Sequence, residues 1–208
     1  MFKCERTTDN RLPTTNNWQN KTTMINRDQA LILLKKHIQA ENLLKHCLAT
    51  EAIMRAVAQR IGKDEELWGL TGLLHDIDLE ITRDDQSQHA LVGADMLARE
   101  GFPPKALQTI RAHNGERLGI PRQTDFEHAL AASETITGLI VATALVQPEK
   151  KIASVKVKSV TKRMKEKRFA ENVNRDIIRE CEQIGITLDD FVALSIAAMQ
   201  AIADDLGL

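Results

Sequence analysis

From Asn26 onward the apolar positions recur at spacings of three and four and nowhere show the alternation of strands bounded by hairpin turns. That periodicity predicts helices packed on helices. Asn26 followed by Gln29 fits an N-cap with a return contact, and Leu31, Leu34 and Ile38 form the stripe behind it. A second helix is expected from about Glu41 to Ile61, carrying Leu43, Cys47, Met54, Val57 and Ile61, with Gly62 closing it. A third covers about Asp64 to Leu74, where Gly69 and Gly72 permit close helix contact. After a polar loop, a fourth is predicted from about Ser87 to Glu100, and Pro103-Pro104 open a fifth that reaches about His113. Thr124 with Glu127 forms a capping box for a long helix to Val146. Helices near 160–168 and 172–184 follow, and Thr187 with Asp190 begins the last, to about Asp205. The expected fold is all-α: one helical domain over 24–208, with its core at 26–146 and a C-terminal helical extension at 154–206. Residues 1–23 are polar and lack periodic apolar positions, so a flexible arm is expected there.

Composition narrows the picture. The longest apolar run, Ile136 to Val146, is too short for a bilayer that needs about 20 residues, and it reads as the buried part of a helix. With no apolar leader segment either, the expectation is a cytoplasmic protein without a membrane partner. A net charge of −1 and the absence of Tyr give neither the basic excess nor the stacking aromatics of a general nucleic-acid binder. Cys4, Cys47 and Cys181 are isolated from one another and read as free thiols.

The informative feature is a series of imidazoles and carboxylates at helix ends and on helix faces: His46, the pair His75-Asp76, His89, His113 and Glu134. These ligand types suit iron, manganese, zinc or cobalt in a hydrolytic site. Neighbours on a helix point about 100° apart. At a helix end the backbone can leave helical geometry, so His75 and Asp76 can converge on one ion, and an Asp can bridge two. Glu134 sits among Ala131, Ala132, Ile136, Leu139 and Ile140, where a lone buried carboxylate is costly without a cation or metal.

The order of His46, GLLHDID (72–78), HALVGADML (89–97), IRAHNGE (110–116) and a carboxylate in ASETITGLIVA (132–142) resembles the HD superfamily of metal-dependent phosphohydrolases. The resemblance covers roughly residues 26–146. It implies a first metal site at His46, His75, Asp76 and Glu134, and a second at His89 and His113 with Asp76 bridging. Three positions depart from the family pattern: Glu134 stands where Asp is usual, HDIGK is here His75-Asp76-Ile77-Asp78-Leu79, and Asn114 replaces a second His.

The resemblance implies one or two divalent ions (Fe, Mn, Co, Zn or Mg) and a small phosphorylated substrate, with a nucleotide the leading candidate. Asp76 is a candidate catalytic residue, and Asp78 and Glu80 are candidates for protonating a leaving group or orienting water. Residues 150–168 hold nine Lys or Arg against one Glu. Within them Lys156, Lys158, Lys162 and Arg163, together with Asn114, are candidate substrate contacts. The alternatives are a di-iron oxygenase with the same ligand order and a non-catalytic nucleotide-binding module.

Overall fold

The computed structural model describes residues 23–208; the expectations for the N-terminal arm, apart from Thr23, and for Cys4 lie outside the described residues. The described chain is helical, without strands. Helix α1 (Arg27–His37) opens on the Asn26–Gln29 capping box, as its sequence predicts. Helices α2 (Glu41–Arg60) and α3 (Glu65–Leu74) then form a close antiparallel pair. Gly72 is what lets them approach: a Cβ there would lie 3.0 Å from the Thr50 carbonyl and 2.9 Å from Met54 Cγ.

The long helix α7 (Asp125–Leu145) begins at the predicted Thr124–Glu127 capping box and is mostly buried. It packs against α2, α3, α5 (Pro104–His113), α8 (Val157–Arg163), α9 (Arg175–Ile178) and α10 (Leu188–Gln200). By length and composition α7 is the one helix among the described residues that could cross a membrane, but 61% of its apolar window is buried inside the protein. It is the core of the bundle, as the Ile136–Val146 run suggests, although Leu145 and Val146 at the end of that run are exposed.

Several stretches differ from the periodicity, among them the helix expected near 160–168, which runs over Val157–Arg163 instead. The chain from His75 to Ala90 is a succession of turns, and helix α4 starts only at Leu91 and ends at Ala98. A short α6 (Gly115–Leu118) follows α5. The expected helix at 172–184 divides into α9 and a 3-10 segment over Arg179–Ile184 that Gly185 closes at φ 76°. The predicted last helix stops at Gln200, and a single-turn α11 (Ala203–Leu206) completes it.

Candidate metal centre

Each candidate ligand is fixed by the element that carries it. His46 projects from the middle of α2 and Glu134 from the middle of α7, two helices in direct contact. His75 is the C-cap of α3, and Asp76 is the first residue beyond it. His113 ends α5. His89, expected at the start of a helix, lies in the turn before α4, where Ala90 adopts a left-handed conformation at φ 73°. The cause is Asp78. Its fully buried carboxylate accepts from the Ala90 and Gly93 amides at 2.8 and 2.7 Å and from His89 Nδ1 at 2.9 Å. Gly93 eases this approach, since a Cβ would stand a tight 3.1 Å from that carboxylate.

These residues converge on the two oxygens of Asp76. Oδ2 lies 3.6 Å from His46 Nε2 and 3.4 Å from His75 Nε2; Oδ1 lies 3.3 Å from both His89 Nε2 and His113 Nε2. Nε2 atoms also face each other, His46 to His75 at 3.1 Å and His89 to His113 at 3.2 Å. Ligand atoms of His46, His75 and Glu134 fall within 4.8 Å of one another, and so do those of His75, Asp76 and His113.

The far side of each ring sets its tautomer. His75 Nδ1 donates to the Gly72 carbonyl at 2.8 Å and His113 Nδ1 to the Ile110 carbonyl. His46 Nδ1 donates to the Thr137 hydroxyl at 2.9 Å, which in turn donates to the Glu134 carbonyl. With every Nδ1 engaged outward, the Nε2 atoms point at one another and at a carboxylate. Such an arrangement is satisfied by cations, and outward hydrogen bonds of this kind are how metal-binding imidazoles are held. Four imidazoles and two carboxylates therefore fit one or two divalent ions.

The two sides differ electrostatically. Burial, reinforced by the neighbouring His46 and His113, pushes His75 down to about 3 against the pull of Asp76. At His89 burial also disfavours the cation, but hydrogen bonds to Asp76 and Asp78 outweigh it and hold the ring at about 9. Burial works against the Asp76 charge too, yet His75 beside it and hydrogen bonds from His113 and His89 keep it well below the usual carboxylate range. Burial raises the Glu134 carboxyl, which accepts a short hydrogen bond from the Thr135 hydroxyl.

Above these ligands opens a cavity of about 550 Å³. Asn114 lines it and donates to the His89 carbonyl at 3.1 Å. Among the described residues no Lys or Arg lines it, whereas Asp76, Glu116 and Glu134 do. Four expected substrate contacts lie elsewhere. Val160 and Met164 turn the apolar face of α8 inward, so Lys156, Lys158 and Lys162 are exposed, and Arg163 stacks over Phe169 at 4.6 Å. Asp78 is buried behind His89 instead of facing the cavity. Glu80 is tied to the α1–α2 turn, where it accepts from the Gln39 and Ala40 amides at 3.0 and 2.8 Å. No pattern in the chain points to Asn172 and Asn174, which form part of the cavity wall from the loop before α9.

A family model described as the HD domain matches residues 43–145. Ribonuclease Y of Sulfurovum sp. (strain NBC37-1) is 28% identical over 140 residues, which is 66% of this chain and 27% of that protein. Ribonuclease Y of Desulforudis audaxviator is 30% identical and Ribonuclease Y 2 of Pediococcus pentosaceus 32% identical, each over 76 residues, 36% of this chain and 15% of theirs. The chain thus spans about a quarter or less of the length of these relatives. No solved structure matches it. With the matched segment running from α2 to the end of α7, and so through every candidate ligand, the chain carries an HD domain over residues 43–145.

Proposed function

We propose that this protein is a metal-dependent phosphohydrolase acting on a phosphate ester or anhydride of a nucleotide or small phosphorylated metabolite. One observation carries the reading: four imidazole Nε2 atoms are directed, two to each side, at the two oxygens of Asp76. The cavity wall adds a second argument. A site lined by carboxylates and without Lys or Arg repels a phosphate unless cations at the histidines offset that charge. Bound divalent ions would supply the rest, lowering the pKa of water toward neutrality and polarising the phosphoryl group.

In this reading the chain's own residues do the positioning. His46, His75 and Glu134 form one half of the centre, His89 and His113 the other, and Asp76 joins them. Thr137 and Asp78 hold His46 and His89 in the tautomer that leaves Nε2 free. Asn114 fixes the His89 backbone and presents its carboxamide edge to the cavity. The relatives' name, Ribonuclease Y, supports phosphoryl chemistry, and the short share of their length that is matched leaves their substrate to them.

The test is phosphate release from a panel of nucleotides and sugar phosphates by protein reconstituted with Mn, Fe, Co or Zn, with oxygen uptake followed in parallel. Release that Asp76→Ala abolishes supports the reading. Oxygen uptake without phosphate release would assign the site to oxygenase chemistry, and tight nucleotide binding with neither would leave a binding module.

A further inference from the structure

A second cavity, of about 350 Å³, lies between α2 and α7 on the far side of His46. It meets the metal cavity at three residues that line both: His46, Thr137 and Gly138. On α7 the residues Glu134, Gly138, Val141 and Leu145 follow at spacings of four, three and four, so one helix face runs from the histidine cluster into this second space. Beyond the shared residues its walls are Ala49, Val141, Leu145, Leu206, Gly207 and Leu208, with the polar side chains of Asn42 and Lys45. Lys45 is already paired with Glu41 at 2.7 Å.

Gly138 marks the junction. It is an exposed glycine inside a helix whose neighbours, Thr137 and Leu139, are buried. Glycine in a helix interior is destabilising relative to alanine. A Cβ at this position would meet only Val173 Cγ2, at 3.3 Å, so a longer side chain here would crowd the boundary that the two cavities share. Leu145 remains 49% exposed at the rim, leaving apolar surface for a ligand to cover.

We infer that this cavity receives the organic part of the substrate, and that this part is apolar: the substrate class is an organic phosphate with an alkyl-type group, its phosphoryl end over Asp76. The inference rests on the phosphohydrolase reading for the location of the phosphoryl end. Among the described residues, no Phe or Trp lines the cavity, so a nucleobase would find no ring to stack on there besides the His46 imidazole, which the metal site already engages. A strongly hydrated sugar would leave its hydroxyls facing Val141, Leu145 and Leu206 without partners.

The test is calorimetric titration of the metal-loaded protein with unbranched alkylphosphonates from methyl to hexyl, which bind without being hydrolysed. Affinity should rise about fourfold per methylene, the value that burying one CH2 group supplies. Val141→Trp, which fills the cavity, and Gly138→Val, which crowds the shared boundary, should each collapse the hexyl-to-methyl affinity ratio. A flat wild-type series overturns the inference whether or not the variants fold. So does a slope that persists in both folded variants. A flat series together with a concentration-dependent dimer that Leu145→Glu dissolves would give the cavity to a second copy of the chain, and also overturns it. A rising series with no phosphate release from any ester would leave the apolar site standing and remove the phosphohydrolase reading.

Discussion

The two sides of Asp76 are built in different ways. The side facing Oδ2 is a helix construction: His46 comes from α2, His75 from the cap of α3 and Glu134 from α7, elements that share one buried apolar core. The side facing Oδ1 joins a helix end, His113 of α5, to a turn. His89 precedes α4 in irregular chain, and its position depends on the Asp78 carboxylate, which gathers one imidazole and two amides. His75 is held neutral by burial, while His89 carries a proton to about pH 9 in the metal-free protein. A rigid half and a half assembled around one buried carboxylate should therefore differ in how they lose a metal, in their pH response and in their tolerance of substitution.

The largest effects should come from the ligands. His75→Ala and His113→Ala are each expected to remove one ion and to lower turnover more than a hundredfold, read by elemental analysis and phosphate release. Loss of both ions in either variant would mean that the halves are not separable. Asp78→Asn comes next. It should weaken metal binding at the His89–His113 side by about tenfold to a hundredfold, the usual cost of removing a partner behind a metal-bound imidazole, and leave the His46–His75 side intact. Metal titration resolves this as one unchanged and one weakened step; equal weakening of both would erase the distinction.

Gly72→Val probes the rigid side. Its side chain collides with Thr50 and Met54, and overpacking of this kind costs about 1–3 kcal/mol, measurable by denaturant unfolding. A variant as stable as wild type would show that the α2–α3 contact yields.

The pH response of the metal-free protein should be smaller and of opposite sign on the two sides. His75 has a lowered pKa, so the unfolded chain binds more protons between about pH 3 and the ordinary histidine value of about 6.5, and stability rises with pH across that window. His89 has a raised pKa, so its contribution is complete below about 6.5 and is lost as pH climbs through about 9. Melting curves of His89→Gln should lack the alkaline decline and keep the acidic rise. The smallest effect is expected on the surface: Lys158→Ala with Lys162→Ala should change KM for a small phosphate ester by less than about twofold, because neither side chain reaches the cavity.

The same contrast explains what was legible in the sequence. Where a helix is specified by its own capping residues and apolar stripe, the pattern reads directly: Asn26–Gln29 and Thr124–Glu127 cap α1 and α7, and His46 and Glu134 sit where the periodicity puts them. Where a distant carboxylate organises the backbone, local pattern has nothing to report. Ser87 reads as a helix start, but Asp78 captures the Ala90 and Gly93 amides and defers α4 to Leu91. Glu80 and Asp78 look like free acids in a polar loop because their partners, the Gln39 and Ala40 amides and the His89 ring, are brought to them only by tertiary folding. The basic run at 150–168 suggests phosphate contacts, yet Val160 and Met164 decide which way α8 faces. Thr137 and Gly138 are unremarkable in sequence and acquire a role only once α2 lies against α7.

If Asp76 joins both halves of one metal centre through its two oxygens, the decisive quantity is the metal content of the reconstituted protein and of Asp76→Ala, measured by elemental analysis on folded material. About two ions per chain are expected in the wild type, and loss of both in the variant. A wild-type protein that takes up no metal, or an Asp76→Ala variant that keeps its full complement, would contradict that arrangement.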